Sequence, residues 1–101
     1  MLVEDENEDA PRTDTMLTHL RRSGYFANAA AVVAGKFTNA GDSTDEELRA
    51  VIDDRLGDLG IPVITNANVG HGGHVQTWPI GVAARLDADA RTVTLLEPPL
   101  L

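Results

Sequence analysis

Apolar positions along this chain recur first at helical spacing and later in short extended runs, and the change of period divides the molecule. Met1 to Glu4 reads as the end of a buried strand, and Asp5 to Asp9 as a solvated acidic loop. Pro11 suits the first turn of a helix, where its missing N–H needs no partner. Met16, Leu17 and Leu20 then form an apolar stripe, Arg21 and Arg22 complement the last turn, and Gly24 follows, so the pattern predicts a helix ending near Ser23.

Ala29 to Val33 is a run of small apolar residues carried on to Gly35, which predicts a short buried strand. Asn39-Ala40-Gly41-Asp42 reads as a loop. Ser43 and Thr44, followed three residues later by Glu46 and Glu47, give two overlapping capping-box registers, and Leu48, Val51, Ile52 and Leu56 recur as one face. This second helix is expected to run to about Leu59, with Gly60 as its stop. A strand over Ile61 to Thr65 follows directly, and strand-helix-strand order predicts a partly parallel sheet with a right-handed crossover.

Beyond the glycine-rich loop the helical period is lost. Gln76 to Val82, Ala84 to Leu86 and Thr92 to Leu96 read as strands, with Asp87-Ala88-Asp89-Ala90-Arg91 as a hairpin connection and Pro79 at an edge or bulge. The tail Glu97-Pro98-Pro99-Leu100-Leu101 cannot continue a sheet. The expected class is α/β, with an antiparallel element at the carboxyl end.

Length and composition narrow the function. A chain of 101 residues is one domain at most, with a modest core and little margin for a deep site. It contains no cysteine, which excludes disulfides, cysteine nucleophiles and thiolate metal sites. The formal net charge of -8, with Lys36 as the only lysine, opposes binding to nucleic acid, because phosphates are repelled. An acidic, lysine-poor surface fits a high-salt cytoplasm or a GC-rich genome equally well. Neither a signal peptide nor a membrane-spanning run is present, so the expected location is cytoplasmic, away from the membrane.

Chemistry concentrates in Gly70-His71-Gly72-Gly73-His74, at the carboxyl end of the Ile61 strand, where α/β folds keep ligand-binding groups. His71 can serve as a general base, or it can be an ordinary surface histidine. Glu4, at the exit of the first strand, can orient an imidazole, or it can be one more acid of the run Glu4-Asp5-Glu6. His71, His74 and a carboxylate can make a metal set, although two intervening glycines leave it poorly preorganised. Gly70 to Gly73 can act as an anion nest, but the lysine and helix of a P-loop do not follow. His19 sits in the first helix without an acid or glycine nearby and reads as a packing or surface residue.

Several segments together resemble the carboxyl-terminal part of the serine LD-carboxypeptidases, the family of muramoyltetrapeptide carboxypeptidases and microcin-immunity peptidases. They are Leu2-Val3-Glu4-Asp5, Met16-Leu17 with Leu20, Val32-Val33-Ala34-Gly35-Lys36-Phe37, Ile61-Pro62-Val63, Gly70-His71, and Trp78-Pro79-Ile80-Gly81-Val82 leading into Arg85-Leu86-Asp87-Ala88-Asp89. The resemblance implies a swivelling β/β/α domain without metal or cofactor. It also implies the roles of Glu4 and His71 as the glutamate and histidine of a Ser-Glu-His triad.

In that family the serine belongs to an amino-terminal flavodoxin-like domain, so the resemblance makes residues 1–101 a partial carboxyl-terminal domain that lacks the nucleophile. Neither Ser23 at a helix end nor Ser43 at a helix cap has the strand-to-helix setting of an activated serine. Thr15 stands where the family commonly has arginine, and Gly72-Gly73 where an acidic or hydroxyl residue often follows the histidine; both bear on substrate recognition. The implied partners are a short peptide or peptide conjugate as substrate, and the serine-bearing domain in cis or from a neighbouring frame. An open sheet edge leaves a homodimer open. The isolated chain is expected to be inactive. The rival expectations are a non-catalytic remnant or binding module, and a small metal-binding domain using His71 and His74.

Overall fold

The computed structural model describes residues 1–37, 41–70, 78–79 and 81–97. Strands β1 (Leu2–Val3), β2 (Val32–Lys36) and β3 (Val63–Gly70) pair in parallel, in that spatial order. Helix α1 (Ala10–Arg22) connects the first two strands, and α2 (Asp45–Leu56) connects β2 to β3. A separate antiparallel pair, β4 (Ala84–Asp87) and β5 (Thr92–Leu95), follows. The expected α/β class, a parallel sheet with antiparallel strands at the carboxyl end, is the one observed.

Local chemistry fixes the ends of both helices. Asp9 caps α1, its carboxylate accepting the Arg12 N–H at 2.9 Å, and Pro11 occupies the first turn. Ser23 closes the helix, and Gly24 takes φ +81°, the left-handed conformation that favours glycine. At α2 the chain uses the Thr44 register: Thr44 Oγ1 accepts the Glu47 N–H at 3.1 Å. Ser43 serves a different end, since its Oγ accepts the Ala10 N–H at 2.9 Å and ties the start of α2 to the start of α1.

Helix α2 stops at Leu56, three residues before the expected end. Gly57 caps it, donating its N–H to the Asp53 carbonyl at 2.8 Å, and a methyl at position 57 would lie 2.5 Å from that oxygen. Gly60, the expected stop, lies in the turns beyond, at φ +77°.

Alternation along β2 divides the molecule into two faces. Val32 and Ala34 point towards the helices and form one core with Leu17 of α1, Phe26, and Leu48, Ile52 and Leu56 of α2. Both helices therefore cover the same face of the sheet. Val3, Leu20 and Val63 pack against the edge of this core. The α1–α2 seam is closed on its outer side by Arg55, whose Nε and Nη2 meet the Asp14 carboxylate at 2.5 and 3.3 Å. Arg21 adds a bond to the Arg55 carbonyl at 2.8 Å and an ion pair with Asp58.

The strands differ from expectation in their limits. β1 is half-buried rather than buried, because among the described residues it pairs on one side only, with β2. β2 begins at Val32, because the segment after α1 is spent on turns, with Ala27 N–H on the Gly24 carbonyl and Ala29 N–H on that of Phe26. These turns bring Phe26 under the core. β3 runs to Gly70, five residues past the expected end, with two shifts of register against β2. Within the segment expected as a strand over 76–82, Trp78, Pro79, Gly81 and Val82 adopt no strand, and Gln76, Thr77 and Ile80 lie outside the described residues. The expected hairpin forms, with Asp87 drawn from the connection into β4 and β5 ending one residue early at Leu95, and Asp87 Oδ1 accepts the Ala90 N–H at 3.1 Å.

Candidate functional site

The parallel ladder brings three segments to one end of the sheet. Leu2 and Val3 pair with Val33 and Ala34, so Glu4 leaves β1 beside Gly35, and Lys36 pairs with Gly70. The carboxyl ends of parallel strands are where open α/β sheets place ligands. Val3 packs towards the helices, so alternation turns Glu4 to the opposite face, the face of Val33 and Gly35.

Glu4 is half-buried there, and its side chain extends across β2 to β3. A methyl added to Gly35 would lie 2.9 Å from Glu4 Cβ, while one added to Gly70 would lie 2.5 Å from Glu4 Oε2 and 3.0 Å from Cδ. The stem of the glutamate thus passes over Gly35, and its carboxylate abuts Gly70. Gly70 itself takes φ +100°, a conformation that side-chain-bearing residues rarely adopt.

Of the residues singled out from sequence, the structure brings together Glu4 and Gly70, the residue immediately before His71. His71 and His74 lie outside the described residues, as do Gly72 and Gly73, and the metal set and anion nest drawn from them fall there too. His19 is exposed on α1, the surface rather than the packing position of the two expected for it. Ser23 is exposed at the end of α1, and Ser43 is engaged with the Ala10 N–H.

Gly35 was not among the residues marked as functional. Its signal is the glycine interrupting Val32-Val33-Ala34-Gly35-Lys36-Phe37, since glycine inside a strand marks close approach of another group. On the helix side of β2 the same strand end opens into a cleft of about 400 Å³, lined by Lys36, Phe37, Leu48, Arg49, Thr65 and Asn66 among others. It combines two cationic side chains, Lys36 and Arg49, with the carboxylates of Asp45 and Asp53 and with apolar and amide surface. Asn66 holds φ +57° at its rim.

No helix among the described residues is long and apolar enough to cross a membrane. The described residues also contain no cluster of three or more His, Asp or Glu side chains suited to a metal ion.

Known proteins resemble this chain in sequence and in fold. A protein of Streptomyces coelicolor named as a carboxypeptidase is 40% identical over 100 residues, covering 99% of this chain and 32% of the relative. One of Synechocystis, also named as a carboxypeptidase, is 37% identical over 99 residues, covering 95% of this chain and 33% of its own. The chain thus spans about a third of the length of these relatives. In fold it matches the microcin C7 self immunity protein MccF, with a TM-score of 0.79 and 23% identity over 99% of this chain and 30% of that one. Residues 1–86 match the family model described as the LD-carboxypeptidase C-terminal domain, and the chain belongs to that family.

Proposed function

We propose that this domain supplies the glutamate and histidine of a Ser-Glu-His triad, Glu4 and His71, to a serine-type LD-carboxypeptidase-like peptidase. The observation that carries the reading is the Glu4 carboxylate against Gly70, one peptide unit from His71. His71 takes the proton of the attacking serine hydroxyl and returns it to the leaving amine, while Glu4 holds the imidazole in one tautomer and stabilises the imidazolium. The serine and the oxyanion-stabilising N–H groups come from the part of the protein that lies outside this domain.

The reaction is hydrolysis near the carboxyl end of a short peptide or peptide conjugate in the cytoplasm. MccF was solved with aspartyl sulfamoyl adenosine, and that compound supports including peptide-nucleotide conjugates among the substrates to be tried. The isolated chain is expected to hydrolyse nothing.

The experiment joins this domain to a serine-bearing domain of the family, in cis or in trans, and follows release of the terminal amino acid from an LD-peptide. Hydrolysis should appear only in the joined protein. His71→Ala should lower kcat by about 10⁶-fold and Glu4→Gln by about 10⁴-fold, the orders seen when a triad loses its base and its base's orienting acid. Activity indifferent to both substitutions would return the domain to the reading of a binding module. Activity of the isolated chain, lost in His71→Ala, would refute the need for a second domain.

A further inference from the structure

We propose that Gly35 is a positioning residue, the absent side chain through whose place Glu4, the residue after β1, reaches across β2 to Gly70 of β3. This rests on the reading of Glu4 as the partner of His71 and adds to it the path by which the carboxylate arrives.

Three distances define the passage. A methyl on Gly35 would stand 2.7 Å from the Val69 carbonyl oxygen, 2.8 Å from Val69 Cγ1 and 2.9 Å from Glu4 Cβ. All three are closer than real methyl groups approach such atoms, and one of them is backbone. Val69 is itself buried, so the space is closed on the β3 side and the glutamate stem lies along the other. Gly35 has no left-handed backbone to maintain, unlike Gly70 with φ +100°, so room alone explains its identity.

Reach supplies the second half. Glu4 starts at the end of β1, an outer strand among the described residues, and its carboxylate ends two strands away, against Gly70, whose own missing side chain leaves room for Oε2. An alanine at position 35 has to displace the glutamate stem, and an aspartate at position 4 starts from the same place with one methylene less. Either change withdraws the charge from Gly70, through different parts of the same path.

The test follows the Gly70 amide of the 101-residue chain by ¹H–¹⁵N NMR through an acid titration. In the wild type the Gly70 shift follows ionisation of Glu4. Glu4→Gln identifies that component by removing it, because the other carboxyls of the chain remain. Gly35→Ala should abolish the Glu4-dependent response at Gly70 while the Val33 and Ala34 amides keep their folded dispersion. Glu4→Asp should abolish it too, with Gly35 intact and thermal stability unchanged.

A response that survives in folded Gly35→Ala overturns the proposal, since a packing role alone would lower stability and leave Gly70 coupled to Glu4. If Gly35→Ala does not fold, Glu4→Asp decides, and survival of the response there overturns it equally. The triad reading fails separately. A joined enzyme that needs Glu4 and His71 but tolerates Gly35→Ala removes the path and keeps the triad, whereas coupling through Gly35 in an enzyme indifferent to Glu4 does the reverse.

Discussion

Asp14 of α1 receives two N–H groups of Arg55 of α2, at 2.5 and 3.3 Å, and the same carboxylate accepts the Thr18 hydroxyl at 3.1 Å. The two Arg55 contacts span 41 residues of sequence and lie over the seam between the only two α-helices among the described residues. The Arg55 hydrogen bonds hold the Asp14 carboxyl below its ordinary value of 3.8, and Arg21 lowers Asp58 in the same way.

The sign of the pH dependence follows. Both carboxyls have folded values below their unfolded ones, so their contribution is complete above pH 3.8 and disappears as pH falls through the lower folded values. Melting temperature should therefore fall on acidification in that window, and Asp14→Asn should flatten part of the fall. The side chains of Arg55 and Asp14 are 37% and 36% exposed, so solvent screens the pair and added salt should shrink the difference between the two proteins. Parallel acid limbs for the two proteins would show that the pair contributes nothing.

Thr44 and Ser43 offer a paired measurement at the head of α2. Thr44→Ala leaves the Glu47 N–H without its cap and should destabilise the protein by about 1 kcal/mol in urea denaturation. Ser43→Ala should cost a comparable ~1 kcal/mol through the lost Ala10 bond, which joins the two helix starts rather than capping one. The combined variant should be additive within about 0.5 kcal/mol if the two hydroxyls act independently.

Thr13 presents the opposite case. It is buried against the core side of α1, and its hydroxyl has no hydrogen-bond partner among the described residues. Thr13→Val keeps the branched shape and removes a desolvated hydroxyl, so stability should rise by about 1 kcal/mol. A lower urea midpoint for this variant would mean that the hydroxyl is satisfied in solution.

Much of the fold was legible because its signals are local. The apolar stripe of Leu17 and Leu20, with Pro11 before it and Gly24 after, defines α1 without reference to the rest of the chain. The stop of α2 was misplaced because Gly57 and Gly60 both follow the apolar stripe, and no local pattern tells which of them caps the helix. The length of β3 was hidden because the polar, exposed pair Thr65 and Asn66 ends the apolar run, although beyond it Ala67 and Val69 alternate with the exposed Asn68. Glu4 was legible as a candidate from its place at a strand exit and from the family resemblance. Its approach to Gly70 was not, since it depends on a glycine in a third strand and on a register no local pattern encodes.

The position of β2 between two parallel neighbours has a consequence for how the domain opens. Val32 to Gly35 are buried on a strand paired along both edges, so their amides should exchange with solvent only on global unfolding. The β4–β5 pair is exposed except at Leu86 and Val93, and its amides should exchange through local opening. The glutamate stem lies over the slowest-exchanging strand, so the carboxylate can keep its place while the far end of the chain breathes.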